Sequence, residues 1–359
     1  MAVILRVGRL YRLLDQLGEV QYLEKYQSIW VFIVVASTIT FCISTIPVSY
    51  AHVRYILNET EIQRGLSQSP VGQNYQSVAI VVLMALLGIV AFQFIGQSLS
   101  LRPFAQRIEA KLLAADPLVP VILRISVGLF LLSSGLSGEL FSPQAAYRPI
   151  TLDILSLAQI TIGFLLTVGF LTKIAALGVF ALVISSFRLV GFDGLDYIVL
   201  AGVAFVLFFE GGLRTSLDAF TIARIGYLRQ IGDSLARFKP YSMPVLRLSF
   251  GINLIWLALT EKLLVPQLTE IAVLKYHVPI FPELLTFVFF FGFFEAILGG
   301  HYLLGIFNRL VSLIYLGLLV SAIFLFGETV NHLPLFGVAI AFLIRGAGSY
   351  RMDIVLRKK

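Results

Sequence analysis

Two apolar runs in the C-terminal third of the chain carry the groups that could do chemistry. ELLTFVFFFGFFEAILGGHYLLGI, residues 283–306, holds Glu295 and, six residues on, His301. MPVLRLSFGINLIWLALTEKL, residues 243–263, holds Arg247, Asn253, Glu261 and Lys262. A carboxylate, an imidazole, an ammonium and an amide within reach of one another can bind a polar headgroup, pass a proton or hold a small polar solute. An ion placed singly in such a run is unfavourable by about 2.5–3.5 kcal/mol at a bilayer centre, so each needs a partner. For Glu295 the sequence offers Asn253, Ser249 and Thr260 on one face of the preceding run, and Arg247 with Glu261 on another. The same groups also read as an inter-helix network that fixes helix register, at about 0.6 kcal/mol per contact. Both readings stand at the level of sequence.

Other chemistries find fewer residues. His301 is the one histidine inside an apolar run, whereas His52, His277 and His332 fall in different outer segments. A b-type haem held by two histidines therefore lacks its second ligand at membrane depth, and three scattered outer histidines are a weak basis for a metal site. No metal is expected. Cys42 is the single cysteine, which removes disulfides, CxxC redox chemistry and thiolate metal sites. No phosphate loop, dinucleotide fingerprint, HExxH or nucleophile elbow appears in its required context, and no sequence motif fixes a reaction.

The elements that must position these groups follow from composition. The chain has 359 residues, 58% hydrophobic and 13% charged, with a mean hydropathy of +0.92. A soluble chain carries about 25% charged residues. Apolar runs long enough to cross a hydrocarbon core of about 30 Å recur throughout, so the fold class is all-α and polytopic transmembrane. The spacing predicts about ten spans: 28–50, 77–100, 118–140, 152–171, 174–190, 196–210, 243–263, 283–306, 310–327 and 332–347. Ahead of them, Ile4, Leu5, Leu10, Leu13, Leu14 and Leu17 alternate with Arg6, Arg9 and Arg12, the pattern of a basic amphipathic helix on the membrane surface.

With the N-terminus in the cytoplasm, 19 of the 27 lysines and arginines fall on the inner side. The positive-inside rule then puts both termini in the cytoplasm. The net charge of +7 is thereby spread over alternate loops, which speaks for membrane insertion and against nucleic acid as a partner.

The chain is also duplicated. LRISVGLFLLSSGLSGELFSPQ, residues 123–144, aligns without a gap on LRLSFGINLIWLALTEKLLVPQ, residues 246–267, with nine of 22 positions identical, Arg124/Arg247 and Gly128/Gly251 among them. Further on, Gly163/Gly299, Gly169/Gly305 and Lys173/Arg309 correspond, and a shared GVA leads to Asp218/Asp353. Four segments follow: an amphipathic helix over 1–27, a two-span hairpin with an outer loop and a connector over 28–117, and four-helix units over 118–242 and 243–359. An even number of spans per unit gives both units the same sense in the membrane. Where the second unit has Lys262 and Glu295, the first has Glu139 and Gln159. The second unit is the better candidate for a polar pocket. Arg124 and Arg247 lie near the cytoplasmic ends of their runs, where a long side chain reaches the interface and caps C-terminal carbonyls.

This ordered set resembles the DoxX/DoxD family of small four-helix membrane proteins. The residues that carry the resemblance are Arg124-x-x-x-Gly128 and Arg247-x-x-x-Gly251. Glu295, Gly299, Gly305 and Arg309 follow, and the ends Gly211-Gly-Leu-Arg-Thr-Ser-Leu-Asp218 and Gly346-Ala-Gly348-Ser-Tyr-Arg-Met-Asp353 complete the set. It covers roughly residues 118–355 in two tandem copies and does not reach the first two spans. The resemblance implies an accessory or anchor subunit of a quinone-linked redox system in the plasma membrane of a bacterium or archaeon, or in a thylakoid. Its partners would be membrane lipids, quinone and other protein subunits, with no intrinsic cofactor. Two alternatives are a structural subunit of a larger membrane complex and a carrier of a small solute or lipid. The carrier lacks the matched broken helices that such folds use.

Overall fold

The computed structural model describes residues 57, 59–68, 111–142, 152–211, 216–218, 237–277, 284–326 and 330–349. The expected surface helix at 1–27, the expected spans at 28–50 and 77–100, and Asp353 lie outside the described residues. What is described is all-helical: α1 (Glu59–Gln68), α2 (Val119–Leu136), α3 (Leu152–Val168), α4 (Thr172–Val190), α5 (Ile198–Glu210), α6 (Ser242–Leu257), α7 (Pro266–Lys275), α8 (Leu284–Leu304), α9 (Asn308–Phe326) and α10 (Leu333–Arg345). Four helical stretches are long and apolar enough to cross a bilayer: Asp116–Leu136, Thr172–Glu210, Lys239–Leu263 and Leu284–Leu304. Ile154–Val168, Asn308–Ile323 and Leu333–Arg345 are apolar but shorter. These helices mark an integral membrane protein.

Proline and glycine set where the helices begin and end. Pro120, Pro266 and Pro334 stand in first turns, where a missing N–H is no loss. α5 and α10 both stop at a left-handed glycine, Gly211 (φ 71°) and Gly346 (φ 72°). Each glycine N–H returns to the carbonyl four residues back, on Leu207 and Phe342. Between α4 and α5 the 3-10 segment Gly191–Tyr197 turns the chain, and the two helices pack against each other. The apparently continuous stretch Thr172–Glu210 is thus a hairpin.

Glycine also decides which helices touch. A Cβ on Gly128 would lie 2.9 Å from the Gly163 carbonyl oxygen, and one on Gly251 would lie 2.8 Å from that of Gly299. Side chains there would force α2 from α3 and α6 from α8, so these pairs pack backbone to backbone. α10 lies on α2, with Ser126 against Gly337, and α5 lies on α6, with Ser249 against Gly202. A large apolar core joins α2, α4, α5, α6, α8, α9 and α10 around Phe130, Tyr197, Phe250, Tyr302 and Phe342.

The segment PQLTEIAVLKYHVPIFPE, between the apolar runs 243–263 and 283–306, contains the helix α7. Leu268, Thr269, Ala272 and Val273 form a buried stripe on it. Leu268 meets Gly65 of α1, and Lys275 pairs with Glu61 at 2.8 Å. A second core of Leu57, Ile62, Leu268, Ala272, Val273, Phe287, Phe291 and Ala322 fastens this helix pair to α8 and α9. The helical spacing was present in the sequence, but its partner stripe lies some two hundred residues away.

Candidate functional site

The backbone between α6 and α7 builds the site. Over Ala258–Leu263 it widens into a π-turn, and the Leu264 N–H reaches back five residues to the Leu259 carbonyl at 2.7 Å. Thr269 Oγ1 donates to the Glu261 carbonyl at 2.7 Å and so anchors the turn to α7. Such a bulge turns side chains off the α-helical register and recurs at functional sites. Here it swings Lys262 inward. Lys262 Nζ lies 2.8 Å from Glu295 Oε2 and 3.8 Å from Glu261 Oε2, with its side chain 2% exposed. It is also in electrostatic reach of Asp196.

Lys262 and Glu295 form the polar end of a narrow cleft with little free space. The rest of the lining is Phe291, Phe294 and Leu298 from α8, with Tyr315 and Leu318 from α9. A polar pair at one end of an aromatic and aliphatic slot is the usual build of a small-molecule site. The arrangement sets an ammonium, a carboxylate and a tyrosine side by side next to apolar walls.

The structure sorts the residues singled out by sequence. Glu261, Lys262 and Glu295 come together. Asn253 does not join them: its Nδ2 donates to the Leu195 and Asp196 carbonyls at 3.2 and 2.7 Å, tying α6 to the 3-10 turn after α4. Ser249 and Thr260 donate to their own helix at Leu246 and Trp256. The partner of Glu295 is therefore Lys262 rather than any of the groups expected from helical spacing, because the π-turn breaks that spacing. His301 is buried, with Nδ1 2.8 Å from the Ile297 carbonyl. Arg247 donates to the Ala347 carbonyl just past the end of α10, and Arg309 donates to the α10 carbonyls of Leu343 and Ile344.

At the corresponding positions earlier in the chain stand Glu139 and Gln159. Gln159 Nε2 donates to Ser134 Oγ at 2.6 Å and to the Glu139 carbonyl at 3.2 Å, a neutral network. Arg124 is buried against Gly169, within electrostatic reach of Asp218. The Asp218 carboxylate accepts from the Leu171 and Thr172 N–H groups at 2.6 and 2.9 Å, where α4 begins. Asp218→Ala removes that cap and is expected to lower stability by about 1 kcal/mol, measured as a fall in the unfolding midpoint in detergent.

Sequence reading missed Tyr315, Phe291 and Phe294, whose types blend into the apolar runs that carry them, and Asp196. The aspartate was visible as an acid at the head of a span, but its proximity to Lys262 depends on how α5 packs on α6. Among the described residues no group of three or more histidine, cysteine, aspartate or glutamate side chains could hold a metal ion. The chain matches no protein-family model, no curated protein and no solved structure.

Proposed function

We propose that this is an accessory or anchor subunit of a quinone-linked redox complex in a bacterial or archaeal plasma membrane, with its ligand pocket in the second of two tandem DoxX-like units. The observation that carries this reading is the Lys262–Glu295 pair at 2.8 Å closing a slot walled by Phe291, Phe294 and Tyr315. A ring with two carbonyl oxygens finds hydrogen-bond donors in Lys262 and Tyr315, apolar walls for its faces, and a carboxylate beside it to exchange protons. The resemblance to DoxX/DoxD proteins is the ground for the redox setting, and the Lys262–Glu295 pair is what supports this location for the site.

The duplication and the ten spans belong to the same proposal. Supporting them are the two glycine crossings Gly128/Gly163 and Gly251/Gly299, and the reciprocal seating of Ser126 on Gly337 and Ser249 on Gly202. The φ angles repeat as well: 72° and 71° at Gly169 and Gly305, 51° and 50° at Leu171 and Phe307. Two units in the same sense, related about the membrane normal, leave both termini cytoplasmic. The difference in residue type, Lys262/Glu295 against Glu139/Gln159, supports the second copy as the one that binds a ligand.

Glu295→Gln keeps the shape of the site and removes the acid. The expected result is a fall of roughly tenfold or more in electron transfer to the quinone pool, in the range usual for loss of a proton-transfer group. The purified native protein, extracted in mild detergent, should retain quinone by mass spectrometry. Unchanged electron transfer in the variant would remove Glu295 from the mechanism.

A further inference from the structure

The face between the two halves of the chain is built twice. Ser126 of α2 seats on Gly337 of α10, and its match in the gap-free alignment, Ser249 of α6, seats on Gly202 of α5. Neither seat has room for a side chain. A Cβ on Gly202 would stand 1.8 Å from Ser249 Oγ, and one on Gly337 would stand 2.1 Å from Ser126 Oγ. α5 and α10 both have 13 residues and both end at a glycine with positive φ. α2 and α6 are both entered through a 3-10 turn that carries a proline, Asp116–Leu118 and Lys239–Tyr241. Surfaces exchanged in this way make a two-fold, self-complementary contact, the kind that joins equal subunits.

The charges on its rim do not repeat. Carried back from Arg124/Arg247, the same alignment sets Asp116 against Lys239. The ends of the two 13-residue helices set Glu210 against Arg345. Arg345 grips its own counterpart Glu210 through both oxygens and reaches Asp116 as well. On the opposite side the Lys239–Tyr241 turn packs on α5. There the rings of Phe209 and Phe238 lie 5.2 Å apart, which brings Lys239 to the end of the helix that Glu210 closes. The first half thus presents an acid at both rim positions, and the second half presents a base at both. Two first halves paired on this face would crowd acids around the buried Glu210 carboxylate, and two second halves would crowd bases. Like charges set face to face across an interface suppress that pairing. We infer, resting on the reading of two tandem units, that the rim selects the partner: either half accepts on this face only a helical unit of opposite rim charge, and the halves do not associate like with like.

The test uses full chains in mild detergent, each with one of two affinity tags. An acid-rimmed chain carries Lys239→Glu and Arg345→Glu, and a base-rimmed chain carries Asp116→Lys and Glu210→Arg. Each alone should unfold at a lower midpoint than the native protein. Expressed together, they should be captured as one complex at roughly tenfold or more the level seen for two native chains. The 28 residues from 211 to 238 have the reach to let halves exchange between chains. All four substitutions in a single chain exchange the two rims and should return the midpoint close to the native one. Failure of that fourfold exchange to recover the midpoint overturns the inference. So does joint capture no greater than for native chains, and so does an acid-rimmed chain as stable as the native one. Gly202→Leu and Gly337→Leu keep the charge rule separate from the tandem reading, since both should lower the midpoint whatever the rim carries. If both do and the fourfold exchange recovers nothing, the two-fold contact stands and selection by charge fails. If only one does, the tandem reading fails with it.

Discussion

Lys262→Met is expected to destabilise the protein by about 3–5 kcal/mol, the usual penalty for stranding one half of a buried ion pair. Glu295 and Glu261 are both within 4 Å of the Lys262 ammonium, and the Glu261 side chain is 0% exposed. Asp196 acts on the same ammonium. Removing this cation takes from Glu295 and Glu261 the ammonium that offsets the desolvation of their carboxylates. A methionine fills most of the lysine volume, so the loss is electrostatic rather than a cavity effect. The measurement is the unfolding midpoint in mild detergent, with yield of folded protein as a second readout. Lys262→Met combined with Glu295→Gln should recover part of the loss, since one of the stranded acids is then neutral. A single variant within about 1 kcal/mol of the native protein would mean that Lys262 does not hold the cluster together.

The same pair shows how far the sequence could be read. Glu295 stood out because an acid in the middle of an apolar run has few innocent explanations. Lys262 was visible beside it in type but not in position. Helical spacing assigns Glu261 to the face of Arg247, and a single wide turn between Leu259 and Leu264 cancels that assignment. Glycine spacing was more informative, because close approach needs a missing side chain on both partners. Gly128, Gly163, Gly251 and Gly299 stood out as repeat-matched glycines, and the structure packs them in pairs, Gly128 on Gly163 and Gly251 on Gly299. Long-range pairings left no such trace. Nothing local to Pro266–Lys275 names α1 as its neighbour, and Asn253 gives no hint that its acceptors are the Leu195 and Asp196 carbonyls. The cleft itself is invisible in sequence, since its walls are ordinary phenylalanine and leucine.

Arg345→Met is the second large expected effect, about 3 kcal/mol or more, and it tests the join between the two halves of the chain. The Arg345 guanidinium at the end of α10 makes a two-pronged contact with Glu210 at 2.6 and 2.8 Å. It reaches Asp116, just ahead of α2, at 2.5 and 3.3 Å. One cation thus ties α10 to the C-terminus of α5 and the N-terminal approach to α2. The two acids are not equal. Glu210 is 3% exposed and Asp116 is 38% exposed, so losing the arginine strands a buried carboxylate on one side and a solvated one on the other. Asp116→Asn should accordingly change stability by less than about 1 kcal/mol. Arg345→Lys should fall between, because an ammonium cannot reproduce the planar fork that engages Glu210 through both oxygens. If Asp116→Asn proved as damaging as Arg345→Met, the clasp would be working through Asp116 and the burial of Glu210 would not be what sets its strength. The ordering of the three variants, read from unfolding midpoints under one detergent condition, therefore decides which of the two contacts holds α10 against the first half of the chain.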